Sequence, residues 1–425
     1  MSDPERWSAA FGRLRPFIGN KTGIVRAAGF LQLNYDDPRI FVATSQPARC
    51  GPLLGNAALN IGAAASLNPA RAAVRAVGES LERYAAAAWR LAGPAAFRSS
   101  PADLLAAGSD FVCASEVYRF AEDQKQTKDF PFSFAANQAQ NWVVGVRLMT
   151  GEPAYVPMSC TFVPYDFVDS QERMTHMPIS TGCAAADNLS SATLSGLLEV
   201  IERDAFMISW RTGQFAYVVP RSSIDQCRGA IAELVMVAQA SADQVRVWQL
   251  DGLAGVPVVV VALWDEKKPS GLAVGVCAAA SKNDRIQGAF EEALLTRVMV
   301  RHSVEYLTCT PRAERPASLR EQMMWHALSE DFLDSPLWRA PTREALDDKD
   351  VALEPTVRAL EEMGHRVYAV DIATRELRLA GLSVIRIVVS GLCPLDNDAR
   401  YPHLGASRLS GFCRSSLYLE PHPFP

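Results

Sequence analysis

Long apolar runs are missing from this sequence. The longest strongly apolar stretch, Val256–Trp264, reads VPVVVVALW. That is less than half of what a helix needs to cross a bilayer, so the stretch is expected to be a buried strand and no membrane partner is expected. Excess positive charge is missing as well: 42 Lys and Arg stand against 47 Asp and Glu, for a net charge of −5 and a pI near 5.8. Nucleic acid is therefore excluded as an expected partner. The nine cysteines are scattered with no C-x-x-C pair, and the opening MSDPERWSAAF has neither the basic nor the apolar region of a secretion signal. Both features predict reduced thiols and a cytoplasmic location. Known site motifs are absent too. Gly19-Asn-Lys-Thr-Gly23 has the wrong spacing for a P-loop, and there is no G-x-S-x-G, H-E-x-x-H or dinucleotide glycine fingerprint.

What is present is a repetition. Ala72–Ala85 reads AAVRAVGESLERYA and Ala192–Ala205 reads ATLSGLLEVIERDA, so Glu79, Glu82 and Arg83 have counterparts 120 residues later in Glu199, Glu202 and Arg203. At helical periodicity Val74, Val77, Gly78 and Leu81 fall on one side of the first segment, and Leu194, Leu197, Leu198 and Ile201 on one side of the second. The charged triplets then cluster on the opposite faces. One such face alone reads as a solvated salt-bridge surface. Two with matched polar and apolar sides suggest a pseudo-two-fold pair whose polar faces meet. Four carboxylates in one cleft repel unless a cation neutralises them, and hard divalent ions take oxygen ligands. Planar, permanently charged Arg83 and Arg203 suit phosphates. Spacing alone therefore predicts a Mg-nucleotide site between two helices, with Glu79, Glu82, Glu199 and Glu202 as metal ligands. Cys183, beside the second segment, reads as a small buried hydrophobe.

Helix-like and strand-like segments alternate irregularly along the 425 residues, which predicts an α+β chain read as one domain. Residues 1–60 are expected to hold N-terminal strands and 61–310 the core with both repeat helices. Residues 311–352, rich in charge and proline, are a candidate lid insert, and 353–425 form a C-terminal part with a proline-rich tail. Trp142–Val156 is expected to be a hairpin turning at Thr150-Gly151, and Asp284–Tyr306 a third long helix.

Several segments together resemble the YcaO family. They are LRPFIGNKTGIV at 14–25, ESLERYA at 79–85, STGCAAADNLSSATLSGLLEVIERDAF at 180–206, AFEEALLTRVMVR at 289–301 and VVSGLCPLDND at 388–398. The closing Pro421-His-Pro-Phe-Pro425 matches the P-x-P-x-P terminus of azoline-forming members. The resemblance implies a YcaO fold whose repeated helices flank a nucleotide cleft. It implies ATP and Mg²⁺ as cofactors, and phosphorylation of a backbone amide oxygen in a ribosomally made precursor peptide. A Cys, Ser or Thr side chain then attacks the amide carbon and phosphate leaves, giving thiazoline or oxazoline. The partners implied are the precursor peptide, a separate ThiF-like or other leader-recognition protein, and a flavin-dependent azoline dehydrogenase. Carried over residue by residue, Arg83, Asp187, Ser195, Arg203 and Arg301 would contact the nucleotide. Pro425 and Arg203 would serve catalysis.

The sequence departs from the family pattern at Arg75, where a serine is usual, and at Asp187 and Ser191, which stand for N-x-x-x-E. It departs again at Thr296 and Met299, which stand for E-x-x-Q, and at Ala63-Ala64-Ala65 in place of a glycine-lysine-glycine lead. These departures keep open an alternative: a degenerate YcaO scaffold subunit of a peptide-modifying complex.

Overall fold

Short runs rich in Val, Ile and Ala pair into three antiparallel sheets, each ending at the same cleft. The computed structural model describes residues 3–49, 51, 61–90, 96–168, 170–266, 271–308 and 314–424. The first sheet holds β1 (Val25–Phe30), β2 (Phe41–Pro47) and β3 (Gly62–Ser66), in that spatial order. The second contains β4 (Ala96–Ser99), β5 (Gln140–Arg147), β6 (Pro153–Pro157), β7 (Cys183–Ala186), β12 (Val367–Asp371) and β13 (Ser383–Val389). Its order is β4-β5-β12-β13-β7, with β6 also on β5. The third sheet runs β11 (Ala273–Cys277), β10 (Pro257–Trp264), β9 (Gln244–Asp251), β8 (Ala216–Val219). The VPVVVVALW stretch is thus the inner strand β10, and the expected hairpin is β5–β6, with Val146 opposite Pro153.

Three helices follow the three edge strands. After β3 comes the first repeat helix, Pro69–Ala87, started by Pro69 and by the Asn68 side chain, which accepts the Arg71 N–H. After β7 comes the second, Leu189–Thr212, capped in the same way by Asn188 on Ser191 N–H and closed by Gly213 at φ 70°. After β11 comes the third, Lys282–Thr308, where Ser281 Oγ accepts the Asp284 N–H. The predicted apolar stripes face inward: Val77, Leu81, Leu197 and Ile201 are at most 1% exposed.

Two regions differ from expectation. A helix, Asp3–Leu14, precedes the N-terminal strands and packs on the first repeat helix, with the Arg71 guanidinium over the Trp7 ring at 5.2 Å. Within the candidate lid, residues 319–340 pack into the core, while 341–350 are largely exposed. Leu319–Ala327 is helical, Phe332 and Leu337 are buried, and Trp248 Nε1 donates to the Leu337 carbonyl. All seven described cysteines are free.

Candidate functional site

Edge strands carry backbone N–H groups with no strand to take them. Here helix carboxylates take them. Ala63 N–H donates to Glu79 Oε2 at 2.9 Å, Gly182 N–H to Glu199 Oε2 at 3.3 Å and Val276 N–H to Glu292 Oε2 at 2.6 Å. Ala278 N–H, just beyond β11, donates across to Glu202 Oε2 at 2.6 Å. Each glutamate is thereby aimed at the junction of the three sheets.

The repetition is therefore threefold. A glycine, a cap and a glutamate recur at the same spacing: Gly62, Asn68, Glu79; Gly182, Asn188, Glu199; Gly275, Ser281, Glu292. The sequence signal is GAAASLN, GCAAADN and GVCAAAS at residues 62, 182 and 275. Reading only the E-x-x-E-R helices missed it, because the third helix continues from Glu292 with Leu295-Thr296. The glycines admit close packing of helix on strand: a Cβ at Gly62 would lie 2.2 Å from the Ala76 carbonyl, and one at Gly275 2.2 Å from that of Ala289.

Glu82 lies within electrostatic reach of Glu79 and of Glu199 across the repeat, and Glu199, Glu202 and Glu292 lie within reach of one another. Burial, with Glu199 and Glu79 nearby, pushes Glu82 up to about 8 against the pull of Arg83. Burial and Glu292 push Glu202 up to about 8 against Arg203. The arginines fold back on their own helices. Arg83 pairs with Glu82 at 2.9 Å and Glu79 at 3.4 Å, and Arg203 with Glu202 at 3.1 Å and Glu199 at 3.4 Å. The buried Arg83 Nε has no hydrogen-bond acceptor, and Arg203 Nη1 meets Glu202 as an ion pair without hydrogen-bond geometry, so donor capacity is left over. Among the described residues no three acidic, histidine or cysteine side chains are gathered closely enough to ligate one ion. The donor set nonetheless fits a hard cation with phosphates. It offers crowded carboxylate oxygens whose charge burial opposes, beside guanidiniums with unmet donors.

The carboxy-terminal tail closes the site. Phe424 is fully buried, stands edge-on to Phe206 at 5.1 Å and lies over the Arg203 guanidinium at 3.8 Å. His422 Nε2 donates to the Asp396 carbonyl, its Nδ1 accepts the Phe424 N–H, and His326 Nε2 donates to the Pro421 carbonyl at 2.7 Å. Pro425, the expected catalytic residue, is outside the described residues.

The other expected site residues are placed as follows. Ser195 is exposed on the second helix, one turn before Glu199. Asp187 is exposed and pairs with Arg13 at 3.7 Å. Arg301, expected at the nucleotide, donates to the Ser241 carbonyl at 2.8 Å and sits near Asp265 and Asp36 on a groove lined by those residues, while Glu292 of the same helix reaches the β11 amide. Thr296 is buried and Met299 exposed on that helix. Cys183 is buried against Arg386 Nη1, and burial pushes its thiol up, so it stays neutral.

A search of curated proteins gives no significant match. Among solved structures the chain is similar to a heterocyclase in complex with substrate and cofactor, at 17% identity and TM-score 0.73. All of this chain is covered, and it spans 57% of that protein. It is similar to YcaO from Methanopyrus kandleri bound with AMPPCP and Mg²⁺, at 19% identity and TM-score 0.65, covering 95% of this chain and 94% of that one. A third likeness, at 13% identity and TM-score 0.62, is to the E. coli microcin synthetase McbBCD complex with pro-MccB17 bound, covering 94% and 96%. These likenesses establish the fold. The model of the YcaO cyclodehydratases, described as ATP- and Mg²⁺-binding, matches residues 63–393, from the start of the first repeat to the turn after β13. The chain belongs to the YcaO cyclodehydratase family.

Proposed function

We propose that this chain is the cyclodehydratase component that activates backbone amides of a ribosomal precursor peptide and converts Cys, Ser or Thr residues to azolines, using ATP and Mg²⁺. The reading is supported by the neighbouring of Glu82 with Glu79 and Glu199, and of Glu199 with Glu202 and Glu292, beside Arg83 and Arg203 and with Phe424 over the Arg203 guanidinium. Bound Mg-ATP supplies the phosphoryl group that turns an amide oxygen into a leaving group.

The five glutamates would hold the metal. Backbone amides fix where four of these carboxylates point, and Arg83 holds the fifth, Glu82, so little reorganisation is needed when charge develops. Arg83 and Arg203 would hold phosphates through planar N–H groups, and Arg203 serves the reaction by stabilising charge on the transferred group. Exposed Ser195 and Asp187 would meet the nucleotide's outer part. Pro425, next after Phe424 in the sequence, would serve catalysis. The peptide brings its own nucleophile next to the carbon it attacks, so proximity replaces a protein nucleophile. A leader-recognition protein, ThiF-like or otherwise, would present the peptide, and a flavin-dependent dehydrogenase would oxidise the rings.

The test is reconstitution with candidate precursor peptides and their leader-binding partner. Each ring should remove one water from the peptide mass, consume one ATP and carry oxygen-18 from a labelled amide into phosphate. Ring formation without transfer of label to phosphate rejects amide phosphorylation. The scaffold reading is favoured by one observation, the apolar Leu295 and the small Thr296 where the other two helices carry Glu and Arg. It requires that no Mg-ATP bind to this chain.

A further inference from the structure

The first helix carries a column of charged residues at i, i+4 spacing: Arg71, Arg75, Glu79 and Arg83. Its counterpart on the second helix is Ser191, Ser195, Glu199 and Arg203. Arg71 and Arg75 both reach across to the third helix and end on one carboxylate oxygen, Glu291 Oε2, at 3.2 and 2.6 Å. Glu291 is fully buried, and its Oε1 accepts from Ser66 Oγ at 2.8 Å and Gln287 Nε2 at 2.9 Å. One carboxylate therefore faces two guanidiniums, one positive charge more than Glu291 itself balances. The two arginines differ. Arg71 is 16% exposed and stacked on Trp7, whereas Arg75 is 39% exposed. Arg75 is also one helical turn from Glu79 and within electrostatic range of Glu292. It is the more open of the pair and stands beside the carboxylates of the cleft.

We propose that Arg75 is a phosphate-binding residue of this cleft, a gain of function at the place where the second repeat has Ser195; this rests on the reading of the cleft as a nucleotide site. Arg71 alone keeps Glu291 neutralised, with Ser66 and Gln287, which frees the Arg75 guanidinium for the phosphate chain. Two parallel N–H groups suit a terminal phosphate, where the negative charge is greatest.

The experiment is calorimetry of the full chain with Mg-ATP and Mg-ADP, on the wild type and on Arg75→Ala, Arg75→Lys and Arg71→Ala, with thermal melting to confirm folding. Arg75→Ala should weaken Mg-ATP binding about ten- to hundred-fold. It should weaken Mg-ADP less, so that the preference for the triphosphate shrinks. Arg75→Lys should recover part of the loss, and Arg71→Ala, which leaves Arg75 as the sole guanidinium on Glu291, should weaken binding by less than Arg75→Ala does. Three outcomes overturn the proposal while the nucleotide reading stands: unchanged binding in Arg75→Ala, an equal loss in Arg71→Ala, or tighter binding in Arg75→Ala, which would mean that Arg75 blocks the cleft. A wild-type chain that binds no Mg-ATP overturns both.

Discussion

Arg203 lies between an acid and a ring. Its Nη2 donates to Glu199 Oε1 at 3.4 Å, and its guanidinium carbon is 3.8 Å from the centroid of the Phe424 ring. A desolvated cation–π contact is worth about 2 kcal/mol, and this one fixes the guanidinium where phosphate would meet it. Phe424→Leu keeps apolar volume and removes the ring face. Turnover, read as phosphate release in the reconstituted complex, should fall about ten- to thirty-fold, with a change in melting temperature of only a few degrees. Equal turnover in the variant would show that the tail merely covers Arg203.

The crowded glutamates make the free protein sensitive to alkali. Glu82 and Glu202 stand at about 8 against an ordinary 4.5. The folded chain therefore holds these protons more tightly than the unfolded chain. Stability from this source is full below pH 4.5 and is lost as pH rises toward 8. The melting temperature of the metal-free wild type should decline from pH 6 to pH 9. Glu202→Gln should flatten the decline and melt higher at pH 8.5. Mg-ATP should bind more tightly as pH rises and should release protons, measurable as binding heats that vary with the buffer.

His422 acts on the other side. Burial pushes its imidazole down to about 4 from 6.5, although Asp396 opposes the shift. The docked neutral ring contributes fully above pH 6.5, and its contribution of up to about 3 kcal/mol disappears as pH falls toward 4. Proteolysis of the carboxy-terminal tail, followed by mass spectrometry, should accelerate between pH 6 and pH 4.5. In His422→Asn the tail should be cleaved at a rate independent of pH.

The threefold repeat separates two glutamate and arginine positions on the same helix. Glu292→Gln should lower Mg-ATP affinity as strongly as Glu79→Gln, about tenfold for one lost charge-assisted contact. Arg301→Ala should leave it unchanged, since its partners are Asp265, Asp36 and the Ser241 carbonyl. Fluorescent-nucleotide titration decides the matter, and a loss in Arg301→Ala comparable to that of Glu292→Gln would restore the sequence-based register.

Local signals and distant partners divide what the sequence made legible. The hairpin β5–β6 follows from alternation around Thr150-Gly151, and the repeat helices from Asn caps and apolar stripes; these are neighbour effects. The residues of the tail and of 314–352 look like surface because proline, charge and histidine dominate them. Phe332, Ser335, Leu337, His422 and Phe424 among them are nonetheless buried, with polar atoms met by partners far along the chain. The Ser335 hydroxyl donates to the Trp210 carbonyl, and His422 meets the carbonyl of Asp396. Glu292 stayed hidden for a different reason: its helix is buried on most sides, with Ala289, Phe290, Ala293 and Leu294 all inside. No polar face marks it, and only the glycine-to-cap-to-glutamate spacing does.

Glu79, Glu199 and Glu202 divide their two oxygens in the same way. Oε2 takes a strand amide and Oε1 faces the arginine of its own helix. A metal ion held at Oε1 would leave the amide bond intact and would release the arginine's N–H groups for phosphate. Cation and polyphosphate would then favour each other's binding. By thermodynamic reciprocity, the factor by which Mg²⁺ raises nucleotide affinity must equal the factor by which nucleotide raises Mg²⁺ affinity. Removing either arginine should shrink both factors together.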